Sequence, residues 1–307
     1  MKKKKRNKTL IIDIVLMLIA IVILSVMILD RGRETRTADV GEDTGAAAGQ
    51  VKTAAEETIA EVNAEIASHV YSHRGSAGPE EHSFKAYDAA INAGSRYIEQ
   101  DVVISSDGIL YVSHDTWAGA MTDYDGMYKH MDSETIDGLK TEAGNKVLRL
   151  SEVFDRYGRD VNYLIELKDG SDACINAFEE MVDGYGIADL ITVQSEDTGV
   201  LQEIESKYPD MPKLFVCRNQ GSFESALDKP YIDIISVKEE ATLMTERNCS
   251  AAHAYDKLFS AWTLNSEDTI KYAIEMGVDT YFTDDTPLAL SLEREYGFIE
   301  GMRRGRE

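Results

Sequence analysis

Cysteine is scarce in this chain, with only Cys174, Cys217 and Cys249 among 307 residues. Three is too few for a disulfide scaffold and odd in number, so the fold must rest on a hydrophobic core. Cys217 ends the apolar run Leu214-Phe215-Val216-Cys217 and reads as a small buried hydrophobe, while a Cys174–Cys249 bond is left open. Positive charge is also in short supply: 32 Lys and Arg stand against 55 Asp and Glu, a net charge of −23. Six of the basic residues but only Asp13 of the acids precede Asp30, so the remainder carries −28. Such a surface argues against nucleic acid or anionic lipid as a binding partner. There is no internal repeat and no long low-complexity tract.

The one long apolar run lies at the N-terminus. Met1-Lys-Lys-Lys-Lys-Arg-Asn-Lys8 precedes residues 10–29, which are almost continuously apolar. At ~1.5 Å per residue such a helix reaches roughly 30 Å, the thickness of a hydrocarbon core. A cleaved signal peptide would have a shorter run and a small-residue cleavage site, whereas Asp30-Arg-Gly-Arg33 follows directly. Residues 10–29 are therefore expected to be a single transmembrane helix. The basic flank places residues 1–9 in the cytoplasm and everything after the span outside the cell. Residues 30–67 read as a tether, polar and Gly/Ala-rich at first. A helix is expected over 51–68, where Ile59, Val62 and Ile66 recur at three- and four-residue steps.

Residues 68–307 are sufficient for one large core. Strand-like runs occur at 69–72, 97–103, 110–113, 163–167, 190–193, 213–217, 232–237, 258–262 and 280–282, mostly separated by amphipathic stretches. Phe84, Tyr87, Ala90 and Ile91 share helical spacing before Gly94, as do Ile270, Ala273 and Ile274 before Gly277. Strand–helix alternation at this length predicts an α/β fold, a (β/α)8 TIM barrel. Nine candidate strands compete for eight places. Residues 110–113 are the ambiguous ones, because Ser106-Asp107-Gly108 looks like a tight turn that folds the chain back beside 99–103.

Chemistry concentrates at the ends of these runs. His73 and Arg74 follow the first, Glu99 and Asp101 fall late in the second, His114 and Asp115 close the next, Glu166 and Lys168 end 162–168, and Trp262 ends 259–262. In a barrel those C-terminal ends meet at one mouth. Glu99 and Asp101, two apart on a strand, share a face, and Glu166 can add a third oxygen donor from a neighbouring strand. Histidines for proton transfer, carboxylates for a hard cation and an arginine for phosphate together point to metal-assisted phosphodiester chemistry. His69, His130 and His253 have no such neighbours in the pattern and read as structural or solvent-facing.

The order of these motifs resembles the glycerophosphodiester phosphodiesterase family from about Tyr71 to Pro287. The resemblance is carried by His73-Arg74-Gly75, Glu80-Glu81-His82-Ser83, Glu99-Gln100-Asp101, Asp107-Gly108, His114-Asp115, Glu166-Leu167-Lys168, Gln194-Ser195, Trp262-Thr263-Leu264-Asn265, Gly277-Val278-Asp279 and Thr283-Asp284. It implies hydrolysis of glycerophosphodiesters to glycerol 3-phosphate and an alcohol. His73 and His114 would be the general acid/base pair, and Glu99, Asp101 and Glu166 the ligands of one divalent cation. Arg74 and Lys168 would grip the phosphate, Trp262 would form a wall under the glycerol, and Glu81 would support the metal or Arg74. Calcium is favoured by the all-oxygen ligand set and the location, with magnesium the alternative.

Three departures from the family pattern stand out: Glu80 replaces the usual proline, no arginine follows His114, and Asp285 adds a residue before Pro287. Two rival classes remain. A phospholipase-type phosphodiesterase acting on lipid or lysolipid head groups would need a broad apolar rim at the mouth. A non-catalytic ectodomain that binds an envelope polymer would be expected to have lost a histidine or a ligand, and none is missing.

Overall fold

The computed structural model describes residues 69–76 and 80–297. The expected cytoplasmic tail, the expected membrane span over 10–29 and the expected tether with its helix lie outside them. Among the described residues no helix is long and apolar enough to cross a membrane.

Nine strands form one sheet. In chain order they are β1 (Val70–Ser72), β2 (Tyr97–Ile104), β3 (Leu110–Val112), β4 (Asn162–Leu167), β5 (Ile191–Ser195), β6 (Lys213–Cys217), β7 (Ile234–Lys238), β8 (Leu258–Trp262) and β9 (Thr280–Thr283). All but β3 are parallel, in the order β1-β2-β4-β5-β6-β7-β8-β9, and β9 pairs with β1 to close the ring. This is the expected eight-stranded barrel. β3 is the excursion: it runs antiparallel to β2, with Val102 opposite Val112 and Ile104 opposite Leu110, across the turn at Gly108. Behind it, residues 105–149 carry a small core of their own, in which Tyr111, Ala118, Tyr128, Ile136 and Val147 pack on Val103.

Helices α1 (Phe84–Ala93), α2 (Ser133–Gly138), α3 (Leu150–Tyr157), α4 (Asp172–Tyr185), α5 (Thr198–Lys207), α6 (Gln220–Leu227), α7 (Glu246–Ala254), α8 (Glu267–Met276) and α9 (Thr286–Leu292) complete the α/β order. Their ends follow local chemistry. The Ser83 hydroxyl accepts from the Ala86 amide at the start of α1, and Ser266 does the same for Thr269 at the start of α8. Each such cap is worth about 1 kcal/mol. Both helices stop at a left-handed glycine, Gly94 or Gly277.

Alternation along each strand decides what the barrel interior contains. Tyr71, Leu164, Leu214, Val216, Ile234 and Phe282 pack together inside it, with Tyr97 and Trp262 against them. Side chains two residues further on point to the same face, one layer nearer the C-terminal mouth. Those next positions are His73, Glu99, Glu166, Arg218, Ser236 and Asp284. The apolar layer is thus the floor of a polar cleft.

Cys174, Cys217 and Cys249 are all buried and none is in a disulfide, so the Cys174–Cys249 bond does not form. The two lie on different helices, α4 and α7, whose places on the barrel wall follow from topology and not from cysteine spacing. Burial pushes the Cys174 thiol up to about 12. His69 and His253 contact Glu293 and Asp279, and neither they nor His130 line the cleft.

Candidate active site

The cleft at the mouth encloses about 420 Å³, open to solvent, and all of His73, Arg74, Glu99, Asp101, His114, Glu166, Lys168 and Trp262 line it. Glu81 joins from above: its Oε2 accepts from Arg74 Nη1 at 2.8 Å. Every residue expected from the sequence to carry the chemistry is therefore at one place.

The turn after β1 sets the geometry. Arg74 takes a left-handed backbone (φ 53°), which aims its amide at Glu99 Oε2, 2.8 Å away. Gly75 follows at φ 107°, and a Cβ there would lie 2.5 Å from the Ala86 Cβ. Only glycine fits between the turn and α1. Glu80, where the family usually has proline, accepts from Thr141 Oγ1 at 2.8 Å and from Asn145 Nδ2, tying this segment to the 141–145 turn.

Three carboxylates form one wall. Glu99 and Asp101 are each 1% exposed and Glu166 is 7% exposed. Asp101 and Glu166 sit in register on β2 and β4, and Lys168 Nζ bridges them at 3.0 and 2.7 Å. Gln194 Nε2 donates to the remaining oxygen of Glu99 at 3.1 Å. Burial and the charge of Asp101 push Glu99 well above the usual carboxylate range despite Arg74. The same two causes, opposed by Lys168, raise Glu166 to about 7. Burial works against Asp101 as well, but the hydrogen bond from His82, with the charges of Lys168 and Arg74, outweighs it and holds Asp101 low.

His82 had no role in the sequence reading. It is fully buried between Asp101 and Tyr87, with Nε2 3.0 Å from Asp101 Oδ2 and Nδ1 3.0 Å from the Tyr87 hydroxyl. Burial lowers its pKa, so a neutral ring donates to the ionised Asp101 through Nε2 and accepts from Tyr87 through Nδ1. His82, Glu99 and Asp101 present atoms within 4.8 Å of one another, a group that could hold a metal ion. With both ring nitrogens engaged, His82 orients Asp101, and the oxygens of Glu99, Asp101 and Glu166 are the donors that suit a hard cation. The fit is electrostatic as well: three buried carboxylates face two cationic side chains, leaving a charge that protons or a divalent ion must offset.

A pH dependence follows. In the metal-free protein Glu166 holds a proton between its ordinary value of 4.5 and about 7, a range in which the unfolded chain would have lost it. Stability should then be highest below pH 4.5 as far as this group is concerned and fall as pH rises through about 7. Scanning calorimetry of chelator-treated protein is expected to show that loss. Added Ca2+ or Mg2+ should raise the melting temperature more at pH 8 than at pH 5, because cation and proton compete for the same oxygens. An equal rise at both pH values would separate Glu166 from the cation site.

The other groups to which the motifs gave no role are partners. Asp284 Oδ1 lies 2.7 Å from His73 Nδ1, and Asn265 Nδ2 donates to Asp284 Oδ2 at 2.6 Å. Burial would raise Asp284, yet His73 and Asn265 hold it below its ordinary value. Arg218 is clamped by Glu196 across the rim and lies 5.6 Å from the centre of the Trp262 ring. The period-two pattern could have found both: Glu196 is two beyond Gln194, and Arg218 two beyond Val216.

The sequence profile of the glycerophosphoryl diester phosphodiesterase family matches residues 73–288, from the first cleft histidine to the start of the last helix. The chain belongs to that family. Among its curated relatives, a glycerophosphodiester phosphodiesterase of Caldanaerobacter subterraneus subsp. tengcongensis is 26% identical over 74% of this chain and 98% of its own length. One from Bacillus subtilis is 24% identical over 73% of this chain and 86% of its own. Among solved structures, an Oleispira antarctica phosphodiesterase in complex with its product sn-glycerol-3-phosphate superposes with a TM-score of 0.66. It is 21% identical, covering 74% of this chain and 96% of that one. At that identity the likeness is one of fold, and it agrees with the barrel described above. As a member of this family the chain is a phosphoric diester hydrolase.

Proposed function

We propose that the chain hydrolyses glycerophosphodiesters to glycerol 3-phosphate and an alcohol, using His73 and His114 for proton transfer and one divalent cation. The observation that carries this reading is the meeting of both histidines, Arg74, Lys168 and three buried carboxylates in one cleft. The product named in the Oleispira complex is consistent with it.

Asp284, kept ionised, can only accept, so His73 carries its proton on Nδ1 and has Nε2 free to take one from an attacking hydroxyl. His114, part-exposed in the same cleft with Nδ1 3.3 Å from Asp115 Oδ2, is then the donor to the leaving alcohol. The attacking group is the glycerol 2-hydroxyl, giving a cyclic phosphate opened later by water, or water itself. Arg74, tied to Glu81, and Lys168, held charged by Asp101 and Glu166 against its burial, bind the phosphate oxygens. A divalent ion held by Glu99, Asp101 and Glu166, calcium before magnesium, would supply Lewis-acid polarisation of a phosphoryl oxygen. The cleft has few apolar members, Val216, Trp262 and Phe282, which speaks against a lipid-tail site. Turnover measured on a panel of glycerophosphodiesters with each metal in turn tests the reading. Activity on intact phospholipid alone would replace it.

The location forms part of the proposal: a single-pass anchor with the catalytic domain outside the cell, supported by the lysine-rich start and the apolar run over 10–29. The full chain is expected to stay with membranes through a high-salt wash while its barrel is open to external protease. Recovery of a soluble mature chain that starts after Leu29 would sink the anchor in favour of secretion.

A further inference from the structure

The side of the cleft formed by β6, β7 and β8 is built unlike the carboxylate wall. Val216, Ser236 and Trp262 line it, and two of its polar atoms, Ser236 Oγ and Trp262 Nε1, are buried with no hydrogen-bond partner in the protein. Ser236 is 0% exposed. The register puts Ser236 opposite Val216 on one neighbour and Ser260 on the other, and Ser260 Oγ is likewise buried and unpartnered. Trp262 is two residues beyond Ser260, on the same face. An otherwise apolar wall thus carries a short row of unmet polar atoms. Each would cost about 1–3 kcal/mol if it stayed unmet, and native proteins keep few of them. Arg218, clamped by Glu196, lies over the indole and restrains it.

We infer that Ser236 Oγ and Trp262 Nε1 hydrogen-bond a free hydroxyl of the substrate's glycerol, so that the cleft selects the polyol over its deoxy counterpart. This rests on the phosphodiesterase reading for the place of the phosphate. With the phosphate held by Arg74 and Lys168, the three-carbon alcohol extends along the β7–β8 wall. An indole N–H only donates, whereas a serine hydroxyl donates and accepts. One alcohol hydroxyl can therefore accept from Trp262 and donate to Ser236 at the same time. A hydrogen in its place leaves both protein atoms unmet, and that asymmetry lets a hydrogen-bonding pocket discriminate where an apolar one cannot.

The test is calorimetric binding to the full chain of sn-glycerol 3-phosphate and of the analogue whose C1 hydroxyl is replaced by hydrogen, which keeps the phosphate and the C2 hydroxyl. Wild type is expected to prefer the glycerol compound by ~10²-fold, and Ser236→Ala and Trp262→Phe each to bring the ratio towards one, in proteins whose circular dichroism is unchanged. The ratio of kcat/KM for the two corresponding phosphocholine diesters should contract in parallel. A wild-type ratio near one, or a ratio that survives both substitutions, would overturn the inference and leave ordered water as the partner of these atoms. A wild-type ratio near one with diester hydrolysis intact would count against the hydroxyl contact alone. Absence of both phosphate binding and diester hydrolysis would overturn this inference and the phosphodiesterase reading together.

Discussion

His73→Ala and His114→Ala should each lower turnover by ~10²-fold or more, the usual loss when a general acid or base is removed. The effect should fall on kcat more than on KM, because Arg74 and Lys168, the proposed phosphate binders, have their hydrogen bonds and ion pairs with carboxylates and not with either ring. Folding should be little affected. Both histidines are part-exposed at the mouth, and Asp284 keeps its bond from Asn265 when His73 is gone. His130→Ala is the control, since that ring lies outside the cleft and is exposed. If His130→Ala were as damaging as His114→Ala, the proton carriers would be misassigned.

Chelation should abolish turnover and weaken substrate binding, and Ca2+ or Mg2+ should restore both. At a pH above the raised values of Glu99 and Glu166, where all are ionised, Glu99, Asp101 and Glu166 outnumber Arg74 and Lys168 by one charge, so the bare cleft then repels a phosphodiester anion. A divalent ion reverses that sign. Surface acids beyond roughly 8 Å are screened at physiological salt, which leaves this local balance in control despite the acidity of the whole chain. Glu99→Gln, Asp101→Asn and Glu166→Gln should each reduce metal affinity measured by calorimetry. Asp101→Asn is expected to be the most damaging, because Asp101 also anchors Lys168 and His82. Full activity in thoroughly demetallated protein would remove the cation and leave three buried carboxylates without a purpose.

Much of this molecule can be read from local sequence because its determinants are local. Strand runs alternating with helical spacing, a serine before each of α1 and α8 and a glycine after it, and reactive residues just beyond apolar runs are written within ten or twenty positions of one another. Together with the motif order they are sufficient for an eight-stranded parallel barrel, its polar mouth and the family. They also put His73, Arg74, Glu99, Asp101, His114, Glu166, Lys168 and Trp262 at the same end. Closure of the barrel decided the rest. Asp284 meets His73 across 211 positions and Gln194 meets Glu99 across 95. The first pair needs β9 to meet β1, which happens only once the ring has closed, and the second reaches from β5 to β2 past the strand β4 between them. The separation of Cys174 from Cys249, the seat of His82 behind Asp101 and the unmet hydroxyl of Ser236 were likewise settled by tertiary packing. Period-two and helical patterns specify which face a side chain takes, whereas its partner is chosen by packing between elements far apart in the chain.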